Sequence, residues 1–328
     1  PRPGPRGRQG AHEMGAWFAG ELLLKPTDVR VGSTGRIGLR MPMPNIRTGI
    51  RGIVKKLDNA PSAAHHAAEA IMTSDTRAKE IAVEFKLGDE TVRIGGIGKG
   101  AGMIQPGMSP TGARPASAPL HATMLAYLTT DAKVDARTLR TCLREAVANS
   151  FNCITVDGDM STNDTVLILA NGLAGNKKIT GRDLKIFQTA LNHVCLELAK
   201  MMVRDGEGIT RMVTVRVKGA KTQKDADAAA RAVGNSALVK TSWHGGDPNW
   251  GRLIDALGYS PAKVIEEKVD IAYSAPRAKK LVHPLKKGRP SKATFTTPST
   301  SPPPPHFAPH PHTTHGTSAP RLHPDDLP

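Results

Sequence analysis

A mixed α/β fold with helices covering its sheets is predicted by three features of this sequence. "KEIAVEFKLGDETVRIGGI" alternates apolar and polar residues on both sides of Gly88-Asp89, the pattern of a β-hairpin. "DARTLRTCLREAVANSFN" sets Leu139, Leu143, Val147 and Phe151 about one turn apart, the stripe of an amphipathic helix. A composition of 39% hydrophobic and 23% charged residues over 328 positions supplies enough apolar material for a core between such elements.

The other elements follow in chain order. Residues 1–25 form a basic leader whose first ten residues, "PRPGPRGRQG", are Arg-rich and acid-free but do not pattern as an amphipathic helix. "APSAAHHAAEAIMTSD" (60–75) has a Pro-Ser start and an Ala-rich body, which predicts a helix. "SPTGARPASAPLH" (109–121) has a pure loop composition. "CITVDGD" and "DTVLILANG" read as short buried strands that end in turn residues. "TGRDLKIFQTALNHVCLELAKMMVRDGEG" opens on a Thr cap and carries a long helical face through Leu184, Phe187, Leu191, Val194, Leu198 and Met201. "TRMVTVRVKGA" alternates as a strand, and "TQKDADAAARAVGNSALVKTS" is again helical. Beyond Thr296 the Pro/His-rich tail has too few large apolar residues to pack, so disorder is expected over 296–328.

Charge and cysteine content narrow the partners. A net charge of +16 raises nucleic acid as a partner, but the basic residues concentrate in 1–10 and 276–292 and aromatic residues are only 4%. Blocks of like charge are usually disordered, so nucleic acid is not the expected partner. No apolar run approaches a membrane span, and no membrane partner is expected. Cys142, Cys153 and Cys195 lack CxxC or metal-ligand spacing and suit a reducing compartment, as small apolar core residues.

Several familiar sites are excluded by spacing. In "GGIGKGAGM", Lys99 is followed by Gly100, so the closing Gly-Lys-Ser/Thr of a P-loop is missing. In "DGDMSTND", Thr162 and Ile168 stand where an EF-hand needs Gly and Glu, which leaves a turn held by Asp, Ser and Thr side chains. His65 and His66 are adjacent and point to different sides of a helix, unlike an i, i+4 metal pair. No metal site is expected.

What remains is a series of Thr- and Gly-rich strings: "GSTGRIG" (32–38), "MTSDT" (72–76), "GKGAGM" (98–103), "ATMLAYLTTDA" (122–132), "NSFNCITVDGDMSTNDT" (149–165), "DGEGITR" (205–211) and "DPNWGR" (247–252). Each alone reads as a turn or a helix cap. In this order, from about Lys25 to Phe295, they resemble the ornithine acetyltransferase family, also called the glutamate N-acetyltransferase or ArgJ family.

The resemblance implies an αββα-type sandwich, incomplete at both ends. It also implies a precursor that cuts itself between Ala122 and Thr123, separating an α-chain part (26–122, with an inserted loop at 109–121) from a β-chain part (123–295). Thr123 would be the nucleophile, activated by the α-amino group that cleavage frees, which titrates at roughly pH 8. Thr34 and Gly35 match the oxyanion hole, and Thr73, Lys99, Thr123 and Glu207 match substrate-binding positions. The implied reaction moves the acetyl group of N2-acetyl-L-ornithine to L-glutamate through an acetyl-threonine. It needs no metal or organic cofactor, and acetyl-CoA is a donor for some members. The family further implies a heterotetramer of two α and two β chains, in the cytoplasm or in a mitochondrial matrix or plastid. Two other readings stay open: a non-catalytic basic binding protein on the same scaffold, and a related self-cleaving aminopeptidase.

Overall fold

Residues 79–99 fold as the expected hairpin. In the computed structural model, which describes residues 5–34, 40–108, 124–161, 163–274 and 282–290, β1 (Lys79–Leu87) pairs antiparallel with β2 (Glu90–Lys99), from Lys79↔Gly98 to Leu87↔Glu90. Gly88 holds the first central position of the turn at φ 59°, the left-handed conformation that two-residue hairpin loops require. β3 (Leu125–Thr130) adds antiparallel to β2, and β4 (Thr165–Ala170) adds parallel to β3. The sheet order is therefore β1-β2-β3-β4. A parallel neighbour needs a crossover connection, which α4 (Ala136–Ala148) supplies.

Ahead of the sheet lie α1 (Pro5–Glu21), α2 (Met43–Val54) and α3 (Pro61–Ala70). α1 lies within the leader read at 1–25 and, as its sequence implies, is not strongly amphipathic. Its helix is sustained by packing on α2 rather than by a strong apolar stripe: Gly15 and Ala19 are buried, Arg47 lies 5.4 Å from the Trp17 ring centroid, and Arg51 reaches Glu21 at 3.5 Å. α3 is the expected Ala-rich helix.

The sheet's core face is covered by α5 (Gly181–Arg204), with Phe187, Leu191, Val194, Leu198 and Met202 all inaccessible to solvent. Burying each such side chain contributes about 1.5–3 kcal/mol, so this face dominates the unit. Met202, rather than the expected Met201, completes the stripe, and Thr180 sits at the N-cap position without a side-chain cap bond. The glycines of "GGIG" make room for this helix. A Cβ on Gly96 would lie 2.6 Å from Leu128 Cδ2 and 3.0 Å from Leu198 Cδ1, and one on Gly98 would lie 2.8 Å from Met202 Cε. The glycine run is thus a packing bed rather than a phosphate cradle.

Three other expectations are corrected. "CITVDGD" is not a strand: Phe151–Cys153 is a 3-10 turn, because Phe151 is drawn into the core directly after α4. Cys153 is exposed, while Cys142 and Cys195 are buried as expected, and burial pushes the Cys195 thiol up to about 12. "TRMVTVRVKGA" alternates but pairs with no strand among the described residues, and alternation without a ladder partner does not make a strand. The 109–121 loop and the 296–328 tail lie outside the described residues.

One compact unit runs to Glu207 and a second begins at Gly208. The second holds α6 (Gln223–Asn235), α7 (Ala237–Gly245) and α8 (Trp250–Gly258), and a small sheet of β5 (Ile271–Tyr273), β6 (Val282–Lys286) and β7 (Arg289–Pro290). The stretch expected to be helical at 222–242 is broken at Ser236, whose side chain accepts from Val239 N and starts a new helix. Val233, Val239 and Ala256 form its buried centre, with Trp243, Leu253 and Leu257 packed against them. No described helix is long and apolar enough to cross a membrane.

Candidate active site

Lys99 ends β2 and is completely buried. Its ammonium donates to Thr73 Oγ1 at 2.8 Å, so two of the expected substrate-binding residues meet directly. Burial is the main cause of a Lys99 pKa below the ordinary lysine value. Lys79 adds to that depression, while Asp75 and Asp164 oppose it.

The chain then turns through "GKGAGM". Gly100 has φ 146°, and Met103, at φ 57°, adopts a left-handed conformation unusual for a side-chain-bearing residue. Asp157 holds that turn by accepting from Met103 N at 2.5 Å and Ile104 N at 3.0 Å. Glu207 joins the turn from the far end of α5. Its backbone N–H donates to Ala101 O at 3.0 Å, and its carboxylate lies against Gly102, where a Cβ would come within 2.7 Å of Oε1. Glu207 is exposed, in contrast to buried Lys99.

Thr34 is half-buried. Two residues before it, the Gly32 backbone passes so close to the Tyr127 ring that a Cβ there would overlap the phenol. Tyr127 lies on β3 two residues beyond Leu125, which is the Cα partner of Lys99. Gly35, Ala122 and Thr123 lie outside the described residues.

The flanks of 109–123 are both tied to the string "NSFNCITVDGDMSTNDT". Asn152 exchanges two hydrogen bonds with the Met108 backbone, each 3.0 Å long. Val156 N donates to Ile104 O at 2.7 Å, and Thr155 Oγ1 bonds Gln105 Oε1 at 3.2 Å. On the other side, buried Met124 donates its N–H to Asp164 Oδ1 at 3.2 Å, and its carbonyl accepts from Thr165 N at 3.1 Å. "DGDMSTND" is indeed built as side-chain-held turns, with Asp159 N on Asp157 Oδ1 and Asn163 N on Ser161 Oγ. "DPNWGR" is structural: Asn249 caps α8 through Arg252 N, and Arg252 ties α8 to Leu238 O and Thr241 Oγ1 of α7.

Sequence reasoning missed the buried charges beneath the site. Lys79 Nζ lies 2.6 Å from Asp75 Oδ1 and 2.5 Å from Asp205 Oδ2, with all three side chains at most 2% exposed. Asp75 also accepts from Gly100 N at 2.6 Å and Thr73 N at 3.1 Å. Burial pushes its pKa up, but Lys79 and these two N–H groups outweigh it and hold the carboxyl below the usual carboxylate range. Asp205 accepts from Thr76 N at 3.0 Å and from the Thr76 hydroxyl. A signal did exist in the sequence: the period-2 pattern of β1 places Lys79 on the same face as Val83, Phe85 and Leu87, and a lysine on a core face needs a partner.

The α/β unit thus gathers a buried ammonium, a threonine hydroxyl and an exposed carboxylate around one strand-end turn, groups that can pair with ligand charges of either sign. The chain belongs to the ArgJ family, whose model matches residues 2–298. It is 48% identical over 269 residues to the glutamate N-acetyltransferase of Methanocaldococcus jannaschii, covering 82% of this chain and 63% of that protein. It is also 48% identical over 270 residues to the arginine biosynthesis bifunctional protein ArgJ of Symbiobacterium thermophilum, with the same coverage. The chain thus spans about 63% of the length of the curated relatives it matches. The crystal structure of the arginine biosynthesis bifunctional protein ArgJ from Bacillus halodurans aligns with a TM-score of 0.46 at 40% identity, over 51% of this chain and 76% of that one.

Proposed function

We propose that this chain is an acyltransferase of arginine biosynthesis that moves the acetyl group of N2-acetyl-L-ornithine to L-glutamate through an acetyl ester on Thr123. The observation that carries the proposal is the Lys99–Thr73 pair, with Glu207 set against the same turn. Lys99 offers an ammonium for a substrate carboxylate, and Glu207 a carboxylate for a substrate ammonium. Ornithine and glutamate derivatives carry both groups. The names of the relatives, glutamate N-acetyltransferase and bifunctional ArgJ, point the same way.

Self-cleavage comes first. The Thr123 hydroxyl attacks the Ala122 carbonyl carbon, the C–N bond breaks in favour of an ester, and water hydrolyses that ester. The products are a carboxylate on Ala122 and a free α-amine on Thr123. Met124, anchored on Asp164 and Thr165, fixes the chain one residue after the nucleophile.

Transfer then follows by ping-pong acyl exchange. The Thr123 amine takes the hydroxyl proton as the oxygen attacks the acetyl carbonyl, and it returns the proton to the departing ornithine amine. Thr34 Oγ1 and Gly35 N–H stabilise the oxyanion, and losing one such donor costs roughly 3 kcal/mol of transition-state stabilisation. The glutamate amine attacks the acetyl ester, giving N-acetylglutamate and restoring Thr123. No metal or organic cofactor takes part. Acetyl-CoA would deliver its acetyl group to the same hydroxyl, with the thiol as leaving group. The working protein in this proposal is a cytoplasmic heterotetramer of two α and two β chains.

The test is acetyl transfer from labelled N2-acetylornithine to glutamate by the wild-type chain and by Thr123→Ala. Label should reach N-acetylglutamate through a transiently acetylated Thr123 in the wild type, with none transferred by the variant. Undiminished transfer by Thr123→Ala would refute the nucleophile assignment.

A further inference from the structure

Three of the four proposed substrate-binding residues, Thr73, Lys99 and Glu207, lie within two positions of a group bonded into one buried ion cluster. Thr73 precedes Asp75 by two residues and donates its N–H to Asp75 Oδ2 at 3.1 Å. Lys99 precedes Gly100, whose N–H donates to Asp75 Oδ1 at 2.6 Å. Glu207 follows Asp205 by two residues. Lys79, between the two carboxylates at 2.6 and 2.5 Å, joins the Thr73–Gly100 end to the Glu207 end.

We propose that Asp75, Lys79 and Asp205 act as positioning residues that set Thr73, Lys99 and Glu207 relative to one another. The inference rests on the substrate-binding reading given above. Asp75 holds Thr73 and the Lys99–Gly100 peptide to a single carboxylate, so the Lys99 ammonium meets the Thr73 hydroxyl without having to search for it. Asp205 anchors the turn that carries Glu207 to Thr76, on the segment just after Thr73. Three buried charges are an expensive way to stabilise a fold, because desolvation offsets most of their attraction. Their value here is geometric. The cluster also joins residues on both sides of the Ala122–Thr123 bond, so its geometry is available to the precursor and to the cut form alike.

Electrostatics supply a test whose sign separates positioning from mere loosening. Among the described residues, the charged groups that bear on the Lys99 ammonium include Asp75 and Asp164, which favour its protonated form, and Lys79, which opposes it. If Asp75 is a close, ordered neighbour, Asp75→Asn removes an attraction and lowers the midpoint at which Lys99 titrates by about one pH unit or more. If the substitution merely loosens the site, water enters, the burial penalty falls and the midpoint rises. Lys79→Met removes a repulsion and should raise it.

The experiment is NMR titration of the lysine Cε and Nζ signals in the full chain, with Lys99 assigned from Lys99→Met. It is run on wild type, Asp75→Asn and Lys79→Met at temperatures where each is folded. A fall in Asp75→Asn with a rise in Lys79→Met supports the proposal; no change, or a rise in Asp75→Asn, overturns it. This readout does not depend on activity, so failure of the acetyltransferase proposal would show separately as absence of transfer by the wild type. Where transfer is measurable, Asp75→Asn should raise KM for glutamate about tenfold, the scale of one lost charge-assisted hydrogen bond, with a smaller change in kcat.

Discussion

The sheet unit that ends at Glu207 and the helical unit that begins at Gly208 use the strings that carry the resemblance in opposite ways. In the first, "MTSDT", "GKGAGM" and "DGEG" converge on buried charge: Lys99 and Lys79 are at most 1% exposed and share the surroundings of Asp75. In the second, "DPNWGR" supplies a helix cap and a backbone tie, and the central residues Val233, Val239 and Ala256 are all apolar. An unusual string is therefore not by itself a site. What sets the strings of the first unit apart is buried charge, which needs a defined partner.

The largest expected effect sharpens this contrast. Lys79→Met leaves Asp75 and Asp205 buried without their shared cation and should destabilise the chain by about 3–5 kcal/mol in urea unfolding, as breaking a buried ion pair does. A loss below 1 kcal/mol would mean that water already reaches the cluster. Next, Gly102→Ala should act on function rather than stability. The added methyl would meet only the tip of the Glu207 side chain, which can swing away, so KM for glutamate should rise while the unfolding midpoint stays nearly constant. An unchanged KM would detach Glu207 from substrate binding. Smallest is Asn249→Ala in the helical unit, which should cost about 1 kcal/mol as the loss of an N-cap and leave the Lys99 titration unmoved.

How much of this was legible in the sequence depended on how local the cause was. The hairpin was legible because alternation and a Gly-Asp turn act within 21 residues, and α5 because its stripe repeats along one face. The glycines of "GGIG" were ambiguous in sequence, since their reason is the closeness of Leu198 and Met202, about 100 residues away. The Lys79–Asp205 bond joins residues 126 apart, and no periodicity signals which carboxylate a core-face lysine will meet. The strand expected around Ile154 failed because burial of Phe151 shaped the chain there, and the one expected at 210–220 has no neighbour among the described residues to complete its ladder.

At the site, resemblance named Thr73, Lys99 and Glu207, and the structure adds what holds them. Lys99 and Thr73 are bonded, Glu207 lies on the turn that Lys99 begins, and both flanks of the segment carrying Ala122 and Thr123 are pinned by Asn152 and Asp164.

The most direct test of the central claim is the intact mass and amino-terminal sequence of the purified chain after incubation near pH 8. Two fragments, the second beginning at Thr123, are predicted, with Thr123→Ala remaining whole. A wild-type chain that stays uncut would contradict the claim that Thr123 becomes an amino-terminal nucleophile in this protein.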